Sequence, residues 1–241
     1  MRYAVLSDVH ANLEALEAVF KDIDQRGLQD IVSLGDAVGY GPNPNECLDL
    51  LAARCDVLLA GNHDWGTIGL TDISCFNEYA RKAVEWTKEV ITKENKTILG
   101  SFPVSTERKE EDIILVHSTP KEPERWHYLL TLWDAEINFD YFYNQICFLG
   151  HSHQPFIIEK LPSGEFLTYR DEAQIKKSSR YIVNAGSVGQ PRDGDPRACY
   201  VYIHDDWIEI VRVSYDIVSV QSKMKKENLP YPLIERLLVG R

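Results

Sequence analysis

Arg2-Tyr3-Ala4-Val5-Leu6-Ser7-Asp8-Val9-His10-Ala11-Asn12 opens the chain on a short apolar run and breaks it with an acid and a histidine two residues apart. Residues 3–6 are β-prone and too few for a helix, so they read as a buried strand. Past the polar cluster, Leu13, Leu16, Ala18, Val19 and Phe20 recur at helical spacing and stop before Gly27. The same unit of strand, polar turn and helix then repeats. A strand at 31–34 runs into Gly35-Asp36, and a helix at 46–53 follows the breaker-rich Gly41-Pro42-Asn43-Pro44. A third strand at 56–59 runs into Gly61-Asn62-His63-Asp64. Alternation of this kind implies a largely parallel sheet with right-handed crossovers.

Farther along, Tyr79, Ala83, Trp86 and Val90 form one apolar helical face, and a second short helix is expected at 94–99. Strand signals return at 113–116, after a charged turn at 107–112, and at 145–149, with helical stretches at 126–132 and 134–143 between them. The last third is strand-rich, at 156–160, 181–183, 198–203 and 207–213, with Asp205-Asp206 turning a hairpin between the final two. A helix at 219–226 and a Pro-punctuated tail follow. The expected fold is α/β, with two packed, mixed β-sheets flanked by helices. No fixed-period repeat and no Gly/Ser- or Pro-rich linker divides the 241 residues, and 44% hydrophobic content suffices for a sizeable core, so 1–241 is expected to be a single domain.

Asp and Glu outnumber Lys and Arg 37 to 26, for a net charge of −11. Non-specific nucleic-acid binding needs many cations against phosphates, so a polymeric nucleic-acid partner is not expected. A soluble acidic surface accounts for most of the excess, and carboxylates that bind cations for part. Cys47, Cys55, Cys75, Cys147 and Cys199 are odd in number, far apart and without a C-x-x-C pair, so neither a thiolate zinc site nor a secreted disulfide framework is suggested. They read as reduced thiols of a cytoplasmic protein. The first apolar run is too short for a signal peptide, and no stretch has the length of a membrane span.

Each strong strand ends in a polar cluster: Asp8 and His10, Asp36, Asn62-His63-Asp64, His117, and Gly150-His151-Ser152-His153. Ligands of open α/β sheets collect at the carboxyl ends of strands. Singly these clusters are ordinary, since an Asp after a strand often caps a helix and Gly-Asn-His-Asp suits a turn. Gly-His-x-His is sharper, because alternate positions of an extended segment point the same way. Together, on consecutive strand ends, they describe one rim. Oxygen and imidazole donors without thiolate suit Mn, Fe, Zn, Co or Ni rather than a closed structural zinc. Two such ions about 3.5–4 Å apart need a bridging carboxylate, and they make a bound water nucleophilic near neutral pH.

In order and spacing, Asp8-x-His10, Gly35-Asp36, Gly61-Asn62-His63-Asp64, His117 and Gly150-His151-x-His153 resemble the calcineurin-like metallophosphoesterases. Asp8-Val9-His10-Ala11-Asn12 and Asn184-Ala185-Gly186-Ser187-Val188-Gly189-Gln190-Pro191-Arg192 look like its small bacterial and archaeal phosphodiesterase-like branch. The resemblance implies a four-layer α/β/β/α sandwich and a dinuclear, metal-dependent hydrolase of small phosphate mono- or diesters, with a metal-bridging hydroxide as nucleophile. It implies that Asp8, His10 and His153 hold the first divalent metal, that Asn62, His117 and His151 hold the second, and that Asp36 bridges both. His63 would sit beside the scissile group, oriented by Asp64, with Asn62 also reaching the substrate. Two departures, Ser118-Thr119-Pro120 after His117 and Ala37-Val38-Gly39 after Asp36, touch no ligand and reshape the pocket wall.

Arg192 can clamp a substrate phosphate bidentately or lie in a surface salt bridge. Asn12 can cap the first helix or stand near the metals, and Tyr40 can line the cleft. Trp65, Trp126, His127 and Trp133 belong either to a helical insert over the site or to a core; His127 and His204 read as structural. Two rival functions share the fold. A scaffold would be expected to lose a ligand or the His of Gly-Asn-His, as in the retromer subunit that looks like this family, and this sequence loses none. A nuclease would need a basic channel.

Overall fold

The computed structural model describes residues 2–241. In chain order the elements are β1 (Arg2–Leu6), α1 (Leu13–Gln25), β2 (Ile31–Ser33), α2 (Pro44–Arg54), β3 (Val57–Leu58), α3 (Asn62–Ile68), α4 (Glu78–Val90) and α5 (Lys93–Ser101). Then come β4 (Ser105–Arg108), β5 (Ile113–Val116), α6 (Leu132–Asn138), β6 (Ile146–Leu149), β7 (Phe156–Lys160), β8 (Phe166–Tyr169), β9 (Glu172–Gln174) and β10 (Arg180–Asn184). β11 (Ala198–His204), β12 (Trp207–Val213), α7 (Ile217–Lys226) and α8 (Tyr231–Glu235) complete the order.

The strands form two six-stranded sheets, ordered β3-β2-β1-β11-β12-β9 and β4-β5-β6-β10-β7-β8. Both are mixed: β1–β2, β2–β3, β5–β6 and β6–β10 pair in parallel, and the other neighbours are antiparallel. Strand alternation builds the layers. Tyr3 and Val5 of β1, Val201 and Ile203 of β11, Ile146 and Phe148 of β6, and Tyr181 and Val183 of β10 meet in one buried cluster between the sheets. Their neighbours face outward. Ala4, Leu6, Tyr200 and Tyr202 pack with residues of α1 and α2, while Cys147, Leu149 and Ile182 pack with Ala135, Phe139 and Phe142 in and beyond α6. A further cluster joins α4, α7 and α8 around Tyr40. The expected Asp205-Asp206 hairpin is present, with His204 opposite Trp207.

Three expectations are corrected. Residues 126–131 are not helical. Trp126 takes a left-handed backbone (φ 56°), and helix begins only at Leu132, where Thr131 and Asp134 form a capping box. That helix ends at Asn138, short of the expected 143. The charged segment at 107–112 is partly strand: Glu107 and Arg108 belong to β4, on the edge of the second sheet, and Arg108 is anchored by Asp30 at 2.7 Å and Glu111 at 2.8 Å. Asn62 and His63 start a helix instead of continuing an extended turn, so their side chains diverge by a helical step.

Candidate metal centre

The polar clusters do reach one rim. β1, β2 and β3 of the first sheet and β5 and β6 of the second end side by side, and their loops bring together Asp8, His10, Asp36, Asn62, His117, His151 and His153, all buried. Three groups have donor atoms within 4.8 Å of one another: Asp8, His10 and His153; His10, Asp36 and His63; and Asp36, His117 and His151. The second grouping puts His63 beside the centre.

Each acid divides its oxygens. Asp8 Oδ2 accepts from Ser7 Oγ at 2.6 Å and the His151 backbone N–H at 2.9 Å, while Oδ1 has no hydrogen-bond partner. Asp36 Oδ1 accepts from the His63 backbone N–H at 2.9 Å, and Oδ2 stands between His10 Nε2 at 3.6 Å and His117 Nε2 at 3.5 Å. The buried Asn62 Oδ1 is also unpartnered. Glycines permit this closeness. A Cβ at Gly61 would lie 2.6 Å from Asp36 Cγ, and one at Gly150 would lie 2.5 Å from Asp8 Oδ2.

The histidines follow one rule. His10 Nδ1 lies 3.1 Å from Val38 O, His117 Nδ1 3.0 Å from Leu34 O, His153 Nδ1 2.6 Å from Gln190 O, and His151 Nε2 2.9 Å from Trp126 O. A carbonyl oxygen only accepts, so each of these nitrogens carries the proton, and in the neutral ring the other nitrogen is a bare lone pair. His10 Nε2 and His153 Nε2 then face each other 3.2 Å apart, with Asp8 Oδ1 3.1 Å from the latter. Lone pairs and a carboxylate crowded in a buried space repel one another unless a cation lies among them. Carbonyl-anchored imidazoles are also the usual outer support of metal-ligating histidines. The donor set fits divalent metal.

The backbone is bent to achieve this. Asp8 (φ 54°), His10 (φ 48°), Asp36 (φ 52°), His151 (φ 64°) and His153 (φ 59°) are all left-handed, a conformation that side-chain-bearing residues adopt at a cost and that here recurs at five of the seven candidate ligands.

Charge is unevenly distributed. Burial opposes ionisation of Asp8 and Asp36, but the neighbouring imidazoles, His153 foremost for Asp8 and His117 for Asp36, hold both below the usual carboxylate range when those rings are protonated. Burial also opposes charging of His117, which its neighbour Asp36 nevertheless lifts to about 9. Burial lowers His10 and His153, and takes His151 to about 3 and His63 to about 4.

Asp64 does not orient His63. Its carboxylate accepts from the Val38 N–H at 3.1 Å and the Gly61 N–H at 2.9 Å, tying two site loops together, while His63 Nδ1 has no partner. Burial, reinforced by the charge of Asp36, raises Asp64 to about 7. Packing places the His63 ring instead, with Tyr40 at 4.4 Å, His10 at 4.8 Å and Phe76 at 5.1 Å between centroids. Asn12 is a helix cap: it accepts from Ala15 N–H at 3.1 Å and donates to Gly189 O at 2.8 Å. Trp126 and Trp65 meet edge to face at 5.5 Å, with Trp126 also 5.9 Å from His117. His127 and Trp133 are exposed, and His204 stacks on Tyr202 away from the site.

A calcineurin-like phosphoesterase superfamily domain matches residues 1–206. The chain belongs to that superfamily. A metallophosphoesterase from Sphaerobacter thermophilus is similar in structure, with a TM-score of 0.87 at 40% identity over 100% of this chain and 99% of that one. An uncharacterized protein of Methanocaldococcus jannaschii is 43% identical over 242 residues, 99% of this chain and 98% of its own. At 19% identity, a hypothetical protein of Pyrococcus horikoshii shares the fold, with a TM-score of 0.77 over 100% of this chain and 98% of that one. Both sheets and their flanking helices are thus those of a calcineurin-like phosphoesterase, and no helix among the described residues is long and apolar enough to cross a membrane.

Around this centre, Tyr128 and Arg236 carry no signal in the sequence, whereas Arg192 is a candidate there. Tyr128 stacks on His151 at 4.1 Å, covering one side of it. Arg192 holds its guanidinium 5.5 Å over the Tyr40 ring, in no salt bridge with a described residue, and Arg236 approaches from beyond the matched region. An open cleft of about 810 Å³ is lined by Arg192 and Gln154, the neighbour of His153, together with Leu129, Phe156, Tyr169 and Arg212, and by none of the candidate ligands. Only the adjacency of Ser7 to Asp8 could have flagged the first of the carboxylate's supports.

Proposed function

We propose that the chain hydrolyses small phosphate esters at a dinuclear divalent-metal centre. The observation that carries this reading is the facing pair of ring nitrogens, His10 Nε2 and His153 Nε2, 3.2 Å apart beside the unpartnered Asp8 Oδ1, with the opposite nitrogen of each ring committed to a carbonyl. Asp8, His10 and His153 would hold one ion and Asn62, His117 and His151 the other, with Asp36 shared, since its Oδ2 faces both groups. Bound divalent ions supply Lewis acidity toward the phosphoryl oxygens and a water acidic enough to attack at neutral pH. The chain's own part is positional. The anchored rings keep their donor nitrogens inward, Asp64 pins the loops that carry Asp36 and Asn62, and His63 presents ring nitrogen toward the departing oxygen. Arg192, free of carboxylates, offers its fork to a non-reacting phosphate oxygen.

Mn is our first choice of metal among Mn, Fe, Zn, Co and Ni, because oxygen and imidazole donors without thiolate accommodate it. Residues 1–241 are taken as one domain, since β12 pairs with β11 and α7 packs against α1. Unpaired cysteines fit a cytoplasmic setting. The test is turnover of p-nitrophenyl phosphate and bis-p-nitrophenyl phosphate before and after chelation, with metal analysis of each sample. Activity should vanish on chelation and return with Mn²⁺. Full turnover by a chain shown to be metal-free would sink the reading, and a metal-loaded chain inert on every ester would leave a scaffold.

A further inference from the structure

We infer that Arg236 joins Arg192 to grip a second, non-reacting phosphoryl group, so that organic diphosphates are the substrates this site favours. The inference rests on the phosphoesterase reading above and narrows it. Arg192 Nη2 donates to Gln190 Oε1 at 2.9 Å, and Arg236 Nη1 donates to the same oxygen at 3.0 Å. Two guanidinium cations thus converge on one neutral acceptor. Neither makes a salt bridge with the side chain of a described residue, and the remaining contact of Arg236 is Nε donating to Arg241 O at 2.8 Å. The buried Arg192 Nε has no partner at all. Burial and the neighbouring Arg192 both depress the Arg236 guanidinium, as expected of like charges awaiting an anion.

The pair stands one aromatic ring from the centre. Arg192 lies over Tyr40, whose ring is 4.5 Å from His10 and 4.4 Å from His63, and the Arg192 backbone N–H donates to His153 O at 3.2 Å. Arg236 is held firmly. Leu233, Ile234 and Leu237 are buried in the cluster that includes Tyr40, Val220 and Met224, and Gln221 Nε2 donates to Ile234 O at 2.7 Å. The turn after it docks on the loop carrying Arg192: the Gly194 N–H donates to Gly240 O at 2.8 Å, and a Cβ at Gly240 would lie 2.6 Å from the Asp195 backbone. Planar guanidinium forks match phosphate oxygens in pairs of parallel hydrogen bonds, and two forks side by side suit a dianion better than a single carboxylate.

The test uses the full Mn²⁺-loaded chain and two hydrolysis-resistant probes, methylphosphonate and methylenediphosphonate, titrated calorimetrically into wild type, Arg236→Ala and Arg236→Gln. Charged hydrogen bonds of this kind are worth about tenfold or more in affinity, so the wild type should favour the diphosphonate by roughly that factor. Both variants should lose most of that preference. Arg236→Gln keeps a polar, hydrogen-bonding side chain without the charge, and a thermal midpoint measured for each variant separates misfolding from lost binding. An equal preference in wild type and both folded variants, or none in the wild type, would overturn the inference. Repeating the titration after chelation separates the two claims. Arg236-dependent preference in a chain that hydrolyses no ester would leave the clamp standing without the phosphoesterase reading. Ester turnover with no such preference would do the reverse.

Discussion

Asp36 is the residue on which both halves of the centre depend. Its Oδ1 is committed to the His63 backbone, so only Oδ2 faces His10 and His117. Asp36→Asn keeps the shape but removes the negative charge that would hold two dications close together. We expect turnover to fall by well over tenfold, with metal analysis showing fewer than two ions per chain; a variant with full occupancy and ordinary turnover would end the bridging assignment. His63 poses a different question, because its ring is placed by Tyr40, His10 and Phe76 and not by a carboxylate. His63→Asn should retain metal yet lose about 10²–10⁴-fold in turnover if the ring assists the leaving oxygen. Parallel assays with alkyl and nitrophenyl esters read the role: a larger loss on the alkyl ester marks proton donation, an equal loss marks charge stabilisation, and lost metal marks a ligand.

Among the elements, β7 carries a buried acid with no place in the proposed chemistry. Glu159 accepts from Tyr169 Oη at 2.7 Å and Lys176 Nζ at 3.0 Å. Burial opposes its charge, but the hydroxyls of Ser179 and Tyr169 and the Lys176 ammonium outweigh it and keep the carboxyl below its ordinary value. A carboxyl depressed on folding stabilises the protein above its unfolded pKa, and that contribution fades as pH falls through the folded one. Glu159→Gln should therefore cost about 1–3 kcal/mol at neutral pH and progressively less on acidification below the normal carboxylate range, as urea titrations at several pH values would show. A constant difference at every pH would mean that the variant disturbs packing, not charge.

At this scale the limits of sequence reading are physical. Apolar strand cores ending in Asp, Asn or His are local patterns, so β1, β2, β5 and β6 and the residues at their tips were legible. The edge strand β4 was not, because Glu107 and Arg108 look like a turn until β5 pairs with them. Residues 126–131 have helical composition, yet the Trp126 carbonyl is drawn to His151, and the Thr131–Asp134 box sets the helix start beyond them. The true partners of Asp64 are backbone N–H groups, one of them 26 residues away at Val38, and no side-chain pattern announces them. Arg236 lies far from every motif and reaches the site only through the packing of α7 and α8.

At the scale of the whole molecule, the centre lies where the two sheets end together. Asp8, His10, Asp36 and Asn62 come from loops of the first sheet, and His117, His151 and His153 from loops of the second. Ions held there would bind the native arrangement and not the unfolded chain, and at a hundredfold excess over the dissociation constant this adds about 2.7 kcal/mol. For a chain of this size that corresponds to roughly 5–10 °C in the thermal midpoint, so calorimetric scans with Mn²⁺ and with chelator should differ by about that much. Identical midpoints, in samples whose metal contents differ, would show that the sheets are not joined through the centre.

The left-handed turns at Asp8, His10, Asp36, His151 and His153 bear on any attempt to engineer this chain. Each holds a side chain in a backbone conformation that costs on the order of 1 kcal/mol or more. Glycine at such a position would relax the metal-free fold while deleting a donor. Selection for heat tolerance in the absence of metal, applied to a library of variants, therefore rewards the erosion of the centre, and its most robust winners will include inert proteins. A screen that scores bound metal alongside survival guards against that drift.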